Sequence, residues 1–386
     1  MSATANAHGL DGTLVAPDWP PLTPNEVRDL LHAYADLSGP VELLSVSPRP
    51  FSAASVVRAG EHCVFVKRHA RAVRTAAALG EEHAFMAHLR AYGASVPLVL
   101  ADGTGATAIE VDQWTYEIHE LPHGMDLYAE AISWTPFLHT AHARSAGQAL
   151  AQLHIASASF NAPARSHRQL VAGFSIFGAQ NPAGSLQSYL SERPELNAYL
   201  QHTSWLAETM NLLAPFHAEL LPLLPALKPL WTHNDLHPSN LFWSGSNPAA
   251  HVTAVIDFGL SDRTTAVHDL AHAIERSIVE WLALVQASYA QHNVPVHFDH
   301  LFALLDGYDS VRPLSAEERA ALAPLVALCH VEFALSEADY FLSVLHSKEK
   351  AHYACPAYLL DHARWWRGAG ADLLNKIRTW AEAKSL

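Results

Sequence analysis

Short alternating runs of hydrophobic and polar residues fill the first third of the chain, whereas helical periodicity dominates the remainder. Residues 1–22 are small, polar and proline-containing, so we expect them to be poorly ordered. The segment 23–26 reads T-P-N-E, a capping box with proline at the first helical position, and predicts a helix to about Leu37. Further along, a turn at 59–61 separates two short runs that we expect to pair as a hairpin.

The strand-rich and helical parts meet at 122–124 (P-H-G), which breaks the hydrophobic pattern. Before this break a helix is predicted over about 76–90, and after it short strands interrupt an otherwise helical chain. A strand-rich first third and a helical remainder predict a two-lobed α+β protein, divided into 23–121 and 122–386, with a cleft between the lobes. Six further strands are expected near 96–100, 106–111, 114–120, 230–232, 241–243 and 252–256.

Composition and charge limit the classes of protein that fit. The 386 residues are 50% hydrophobic, enough for a sizeable core, and 38 acidic against 24 basic side chains give a formal net charge of −14. That charge argues against a nucleic-acid partner, which needs a basic surface. Three separated cysteines form no C-x-x-C pair, and the uncharged stretches hold too many polar residues to cross a membrane. Because no apolar run precedes the first basic residue, Arg28, we expect no signal peptide. We therefore expect a cytoplasmic protein without a membrane partner.

The segment 231–240, W-T-H-N-D-L-H-P-S-N, carries the most specific chemical signal, together with D-F-G at 257–259. Phosphoryl transfer needs positioning, metal ions and a carboxylate that receives the hydroxyl proton. Asp235 and Asn240 present a carboxylate and an amide oxygen from one loop, and an intervening hairpin would return Asp257 beside Asn240. Asparagine and aspartate oxygens side by side are hard ligands suited to Mg²⁺.

Lys67 and Glu82 are a second candidate pair, in the N-terminal third. Lys67 ends a predicted strand and can reach nucleotide phosphates as a point charge. Glu82 falls within the apolar stripe of the following helix, where an unpaired carboxylate is costly. Lys67 is therefore the expected partner of Glu82, and a purely structural ion pair is the alternative interpretation.

Histidine spacings offer a competing metal interpretation. His233 and His237 are four residues apart, as in a helical zinc pair, but the first is not followed by glutamate and the second is followed by a proline that argues against a continuing helix. His268 and His272 share the spacing without an evident third ligand. Twenty-six histidines produce such spacings by chance, so we do not favour zinc at either pair.

Taken together, these motifs resemble the aminoglycoside phosphotransferase family, within the kinase-like superfamily that also holds choline and homoserine kinases. The resemblance spans about residues 40–340. It implies a bilobal protein-kinase-like fold, with a small β-rich N-lobe that binds nucleotide and a larger helical C-lobe that holds the catalytic loop and the acceptor site. It also implies an ATP-dependent, Mg²⁺-dependent phosphotransferase that acts on a hydroxyl of a small molecule. Further matching stretches are E-L-P-H-G at 120–124, the segment 146–154 and D-L-A at 269–271.

In the helical part, the resemblance implies that Asp235 is the catalytic base and that Asn240 and Asp257 are the magnesium ligands. His233 would support the loop. Asp269 would anchor it through backbone hydrogen bonds rather than take part in chemistry.

In the strand-rich part, the resemblance implies that Lys67 and Glu82 form the phosphate-binding ion pair. The nucleotide loop 48–54 lacks glycine, so phosphate contacts there would use backbone N–H groups and the Ser52 hydroxyl. Adenine would bind the hinge backbone, at His119, Glu120 and Leu121.

Residues 165–230 are an expected helical insertion, of the kind that shapes acceptor pockets in this family. Between Asp257 and Tyr340 the chain has thirteen acidic residues and four arginines, a net charge of −9. A cleft wall of one sign concentrates ligands of the other, which favours a cationic or zwitterionic acceptor: aminoglycoside-like, amino-alcohol or hydroxy-amino-acid. Arg276 could hold an acceptor carboxylate. The candidate contacts are Glu275, Arg276, Glu332 and Glu337.

Two other functions fit parts of the pattern. A catalytically silent nucleotide-binding protein on the same fold is the alternative, but the base, the metal ligands and the lysine are all present. A protein kinase is disfavoured because only about ten residues separate Asp257 from the helix expected near Val267, and no A-P-E motif follows. The sequence leaves open ATP or GTP as donor, a monomer or a homodimer, and a resistance or a metabolic role.

Overall fold

Two compact units, residues 1–123 and 124–386, make up the chain in a computed structural model of the protein. The expectation of poor order at 1–22 concerns residues that lie largely outside the described part of the chain. The structure describes residues 7–8, 14–15, 17–47, 49–167, 169–281 and 294–384.

The first unit is built on an antiparallel sheet. Its described elements are β1 (Ala7–His8), β2 (Leu14–Val15), α1 (Pro24–Leu31), β3 (Val41–Leu43), β4 (Ala53–Ala59), β5 (His62–Ala70), α2 (Ala76–Ala91), β6 (Ile109–Val111) and β7 (Trp114–Glu120). β1 and β2 pair with each other, and the remaining strands form one sheet in the order β3-β4-β5-β7-β6. The predicted hairpin is confirmed as β4 and β5, and the helix predicted over 76–90 as α2.

The capping box predicted at the start of α1 is confirmed. Thr23 Oγ1 accepts a bond from the Glu26 N–H at 3.3 Å, and Glu26 Oε2 accepts one from the Thr23 N–H at 3.2 Å. α1 ends at Leu31 rather than near Leu37. Single turns carry the chain onward from there, so Tyr34 and Leu37 still reach the same hydrophobic core.

The two faces of the sheet bury different kinds of residue. Val66 and Ile118 point to one face and share a hydrophobic core with α1. Because side chains alternate along a strand, Lys67 of β5 and Glu117 of β7 share the opposite face, where they lie directly across from each other. α2 contacts that polar face through His83, whose Nε2 lies 2.7 Å from Glu117 Oε2.

The second unit is mainly helical, and α4 to α6 occupy much of the segment 165–230. Its described elements are α3 (Thr140–Ser157), α4 (Pro182–Ser191), α5 (Pro194–Leu200), α6 (Trp205–Leu220), a 3-10 helix (Leu221–Ala226), β8 (Pro229–Thr232), a 3-10 turn (Pro238–Asn240), β9 (Leu241–Trp243), β10 (Val252–Val255), β11 (Asp262–Thr265), α7 (Ala266–Ile278), α8 (Phe298–Val311), α9 (Ala316–Leu328), α10 (His330–Ser343), α11 (Lys348–His352), a π-helical segment (Tyr353–Asp361), α12 (His362–Arg367) and α13 (Ala371–Ala383).

Two small antiparallel sheets interrupt these helices. β9 pairs with β10, and β8 pairs with β11, a strand that the sequence did not predict. The strands predicted at 230–232, 241–243 and 252–256 are confirmed as β8, β9 and β10. The strand predicted at 96–100 is wrong, because within the described chain that segment forms a single bridge, from Val99 to His119.

α3 and α8 cross at two glycines. A Cβ on Gly147 would lie 2.1 Å from Leu304 O, and a Cβ on Gly307 would lie 2.1 Å from Arg144 O. Neither helix could therefore carry a side chain at the crossing without moving its neighbour. The contact holds α3 and α8 in one arrangement, and both helices carry residues that reach the site described next.

Among the described residues, one helical stretch, Ala316–Ser343, is long and apolar enough to cross a membrane. It comprises α9 and α10, and 94% of an apolar 18-residue segment within it is buried inside the protein. Such burial is typical of a core helix, whose apolar surface packs against the rest of its own domain.

Candidate active site

The loop that follows β8 is held by side chains from two paired strands. β8 and β11 lie antiparallel, which brings Thr232 and Thr264 close together. Their hydroxyls donate to Asn234 Oδ1 at 2.8 and 3.2 Å. Asn234 has a φ of +60°, a left-handed conformation that asparagine adopts more readily than most residues. The chain therefore turns sharply just before Asp235.

Asp269 of α7 binds the backbone of this loop, as the sequence predicted. Its Oδ2 and Oδ1 accept bonds from the N–H groups of His233 and Asn234, both at 2.8 Å. Its Oδ2 also lies 3.0 Å from His154 Nε2, and His154 Nδ1 lies 2.6 Å from the Tyr308 hydroxyl. Burial opposes ionisation of Asp269, but His154 and the backbone bonds outweigh it and lower its pKa. Residues of α3, α7 and α8 thus reach the loop through one chain of hydrogen bonds.

Asp235 receives hydrogen bonds on both carboxylate oxygens. Asn240 Nδ2 donates to its Oδ2 at 3.1 Å and to its backbone oxygen at 2.9 Å. Arg276 Nη1 donates to its Oδ1 and, at 2.7 Å, to the Asn234 carbonyl. Burial raises the pKa of Asp235 to about 6; the Arg276 charge opposes this rise and the Asp257 charge adds to it. The side chain keeps 16% of its surface exposed, so one edge remains open.

Asp257 lies beside this loop because β9 and β10 form the predicted hairpin. The Ile256 N–H donates to Asn240 O at 3.0 Å, which brings the chain back to Asn240. Asp257 is exposed and has a φ of +59°. Since Asn240 Nδ2 is directed at Asp235, the Asn240 Oδ1 atom faces away from it. The structure thus brings Asp235, Asn240 and Asp257 together.

Arg276 lies among buried polar and aromatic groups next to Asp235. Its side chain is fully buried, and in the described chain its Nε and Nη2 have no hydrogen-bond partner. The guanidinium carbon lies 4.9 Å from the centre of the Phe333 ring and 5.4 Å from that of Trp134. Nothing in the sequence signalled this contact with Asp235, because the two residues are 41 positions apart and no local pattern joins them.

Glu275, next to Arg276, is fully buried as well. Burial raises its pKa to about 7, although the positive charge of Arg276 opposes the rise. Within the described residues neither of its carboxylate oxygens has a hydrogen-bond partner, and His362 Nδ1 lies 3.2 Å from Oε1 without the geometry of a bond. Glu275 Oε2 lies 3.8 Å from Arg276 Nε, so the two neighbouring residues form a buried ion pair, of which Arg276 contacts Asp235.

The other two expected acceptor contacts lie on α10. Glu332 accepts a bond from the Ile176 N–H at 2.5 Å and another from the Ser175 hydroxyl at 3.0 Å. Both of its oxygens are therefore engaged within the protein. Glu337 is buried further along the same helix, and its role in acceptor binding stays a prediction.

The residues expected to bind nucleotide belong to the first unit. Lys67 lies on β5 and Glu82 is buried on α2, while Ser52 is buried directly before β4. The hinge residues His119 and Glu120 end β7, and Leu121 follows. The Glu120 N–H already donates to Leu98 O at 2.9 Å, so this hinge group is engaged within the first unit. Their roles stay predictions.

Sequence reasoning also missed a cluster around Glu117 of β7, which contacts His69, His83 and His119. The available signal was E-x-H at 117–119, which places a carboxylate and an imidazole on one face of a predicted strand.

The family profile described as the phosphotransferase enzyme family matches residues 48–314. An uncharacterized protein of Deinococcus radiodurans is 28% identical over 310 residues, 79% of each chain. A homoserine kinase from Hyphomonas neptunium is 32% identical over 188 residues, 47% of this chain and 48% of that enzyme. A homoserine kinase from Rhizobium etli is 27% identical over 242 residues, 63% of each chain. The chain thus spans about half of the first of these homoserine kinases and less than two thirds of the second.

Solved structures share the fold. A microcompartment-associated aminopropanol kinase superposes with a TM-score of 0.61 at 20% identity, over 91% of this chain and 99% of that one. An amicoumacin kinase superposes with a TM-score of 0.55 at 12% identity, over 93% of this chain and 92% of that one. An aminoglycoside phosphotransferase from Alicyclobacillus acidocaldarius superposes with a TM-score of 0.52 at 16% identity, over 95% of this chain and 98% of that one. These likenesses confirm the kinase-like α+β fold predicted from the sequence.

Proposed function

Since the chain belongs to the phosphotransferase enzyme family and is therefore a kinase of small molecules, we propose that it transfers the γ-phosphoryl group of ATP, with Mg²⁺, to a hydroxyl of an amine-bearing acceptor. The observation that carries this proposal is the grouping of Asp235, Asn240 and Asp257 at one anchored loop. A base and a pair of oxygen ligands are what phosphoryl transfer requires from such a loop.

Asp235 acts as the base that receives the proton of the acceptor hydroxyl. With its pKa raised to about 6, the carboxylate is still mostly ionised at neutral pH but holds a proton better than an ordinary aspartate. Asn240 and Arg276 fix its two oxygens, so its exposed edge is presented in one orientation. Through its Nη1 group, Arg276 positions Asp235 in this scheme.

Asn240 and Asp257 fit a Mg²⁺ ion. The Asn240 amide nitrogen is used by Asp235, which leaves its oxygen for a metal, and the exposed Asp257 adds a carboxylate. Both are hard oxygen donors. When bound, the ion would neutralise charge on the nucleotide phosphates.

The first unit would supply the nucleotide ligands: Lys67, Glu82, Ser52 and the backbone at His119, Glu120 and Leu121. ATP is the proposed donor and GTP remains the alternative. An amicoumacin kinase of the same fold was solved with AMP-PNP and Ca²⁺, which supports a nucleotide and a divalent ion in this family.

The acceptor is proposed to be zwitterionic, with the hydroxyl directed at the exposed edge of Asp235. Arg276, which contacts Asp235, keeps an Nη2 group without a hydrogen-bond partner among the described residues, and Glu275 Oε2 lies 3.8 Å from Arg276 Nε, so the two residues would supply a positive and a negative group for a carboxylate and an ammonium group. The relatives include homoserine kinases and an aminopropanol kinase, whose names describe amine-bearing alcohols. A hydroxy-amino-acid is therefore preferred over an amino-alcohol or an aminoglycoside.

A product assay tests the proposal. The full chain with Mg·ATP labelled in the γ-position is offered hydroxy-amino-acids, amino-alcohols, aminoglycosides and uncharged polyols. We expect labelled product with the first class, a kcat/KM that falls as salt screens the charges, and no product with Asp235→Asn. Asp372→Asn, on the exposed face of α13, is the matched control and should stay active. Nucleotide binding without any phosphorylated acceptor would favour the catalytically silent alternative.

We also propose that the enzyme is soluble and cytoplasmic, needs neither nucleic acid nor membrane, and works as a monomer or homodimer. The net charge of −14 and the burial of the apolar stretch Ala316–Ser343 support this. Light scattering on the purified chain would measure the number of subunits.

A further inference from the structure

Glu117 of β7 is surrounded by imidazoles that the proposed phosphoryl transfer does not use. Its Oε2 lies 2.7 Å from His83 Nε2 and 2.9 Å from His119 Nε2, and its Oε1 lies 2.9 Å from His69 Nε2. The ligand atoms of Glu117, His83 and His119 all lie within 4.8 Å of one another. α2 and β7 thus direct nitrogen and oxygen donors at one point, and His69 of β5 contacts the other oxygen of Glu117.

We propose that His83, Glu117 and His119 bind a divalent transition-metal ion such as Zn²⁺. Two imidazole nitrogens and one carboxylate oxygen are a ligand set that Zn²⁺ accepts, with a fourth position left for water. Around a tetrahedral ion with bonds of about 2.0–2.2 Å, donor atoms lie about 3.3 Å apart. The Nε2–Oε2 distances therefore need to lengthen by about half an ångström, which a side-chain adjustment supplies.

The groups that hold metal ligands in place are already present. His83 Nδ1 lies 2.8 Å from the Thr107 hydroxyl, on the side of the ring away from Glu117. His69 contacts Oε1, the carboxylate oxygen that the ion would leave unused. Ligating histidines and carboxylates are typically oriented by such contacts on their far atoms. His69 and Thr107 are therefore positioning residues for the site.

Neighbouring positive charges and the exposure of the site affect how tightly it would bind a metal ion. Lys67 lies across from Glu117 in the strand register, and Lys67 and Arg74 both act on His69 as positive charges. These cations oppose a further positive charge, so we expect weaker binding than at a zinc site made of thiolates. His119 keeps 13% of its side chain exposed, which gives an ion a way in.

Zinc titration of the whole chain tests the site. Chelator-treated protein, in excess Mg²⁺ to occupy the Asn240–Asp257 position, is titrated with ZnCl₂ by calorimetry, and metal retained after gel filtration is measured by elemental analysis. We expect one equivalent of Zn²⁺, bound with release of protons, and a higher melting temperature. Co²⁺ in place of Zn²⁺ should give the visible absorption of a four-coordinate ion.

His83→Gln and His119→Gln should each weaken binding by at least about tenfold. His62→Gln, on the exposed start of β5, is the matched control and should bind like wild type. Circular dichroism in chelator establishes that each variant is folded, and the Co²⁺ spectrum of the wild type provides a readout that needs no variant. Absence of stoichiometric Zn²⁺ and of the Co²⁺ band in the wild type, or equal binding by the folded variants, would overturn the proposal in favour of a hydrogen-bond cluster or surface histidines.

Discussion

Asp235 in the second unit and Glu117 in the first are both largely removed from water, yet their pKa values move in opposite directions. Burial raises the pKa of Asp235 to about 6, and the negative charge of Asp257 adds to the rise. Burial also opposes ionisation of Glu117, but the charge of His119 and hydrogen bonds from the surrounding histidines hold its pKa well below the ordinary value. The number and sign of neighbouring groups, rather than depth alone, therefore decide whether a buried carboxylate keeps its charge.

The comparison separates two uses of a carboxylate. Asp235 has an open edge, the cationic partner Arg276 and a neighbouring anion, an arrangement suited to taking up a proton. Glu117 has donors on both oxygens and is suited to holding a constant charge. Substitution by the matching amide should therefore affect activity in one case and stability in the other.

The largest effect is expected for Asp235→Asn, which removes the proposed base and should lower kcat by about 10²–10⁴-fold. The amide oxygen still accepts from Arg276 and repulsion with Asp257 is relieved, but the amide nitrogen meets Asn240 Nδ2, so we expect at most a small fall in the melting temperature. Steady-state kinetics, calorimetric ATP binding and thermal unfolding measure the three quantities. A variant that keeps more than about a tenth of the wild-type kcat would contradict the role of base.

Asp269 extends the comparison to a third buried carboxylate. Asp269→Asn should lower the free energy of unfolding at pH 7 by roughly 1.5–3 kcal/mol, because His154 and the two loop N–H groups lose a charged hydrogen-bond acceptor. A lowered pKa stabilises the fold above the unfolded-state value of about 3.9, and this contribution is lost as pH falls through the folded-state value.

Urea unfolding at pH 7 and below pH 4 checks the Asp269 prediction. The difference between Asp269→Asn and wild type should be full at pH 7 and should shrink only in the acid range. Asp372→Asn is the control for loss of an exposed aspartate. A difference that stays constant across this range would mean that the Asp269 charge does not stabilise the loop.

Asp257→Ala should weaken ATP binding in the presence of Mg²⁺ by at least about tenfold, because one of two proposed metal ligands is removed. Binding without Mg²⁺ should change little. Calorimetric titrations with and without the ion distinguish the two cases. If the variant gains as much affinity from Mg²⁺ as the wild type does, another residue holds the ion.

The smallest effect is expected for Glu117→Gln in metal-free protein, a loss of about 1–3 kcal/mol in the free energy of unfolding. The new amide nitrogen meets imidazole groups that had faced an oxygen, so at least one contact is lost. Urea unfolding in chelator measures it, with His62→Gln as control. Equal changes in the free energy of unfolding for Glu117→Gln and Asp235→Asn would mean that the two buried carboxylates do not differ in their contribution to stability.

Patterns within a few neighbouring residues were enough to predict several elements of the fold. The capping box at 23–26, β7 at Trp114–Glu120 and β9 at Leu241–Trp243 were all predicted within their short windows. β11 was missed because its four residues, D-R-T-T, have no alternating hydrophobic pattern and are extended through pairing with β8. The strand expected at 96–100 has the composition of a strand but lacks a full partner.

The contacts of the candidate site also fall into those that local sequence patterns predict and those that they do not. The grouping of Asp235, Asn240 and Asp257 follows from one loop and one hairpin, so spacing along the chain was enough to predict it. The contact of Arg276 with Asp235 and the imidazoles around Glu117 depend on tertiary packing between distant elements. No periodicity or spacing encodes such contacts, because they are set by how helices and strands pack.

Redesign of this enzyme for another acceptor would meet its tightest constraint at Gly147 and Gly307. These positions tolerate no side chain, and the two helices they join carry His154 and Tyr308, which hydrogen-bond in sequence to Asp269, the anchor of the proposed catalytic loop. α3 and α8 should therefore be kept together and left unchanged in any redesigned variant. Diversity in a variant library belongs instead at Trp134 and Phe333, whose rings border the guanidinium of Arg276.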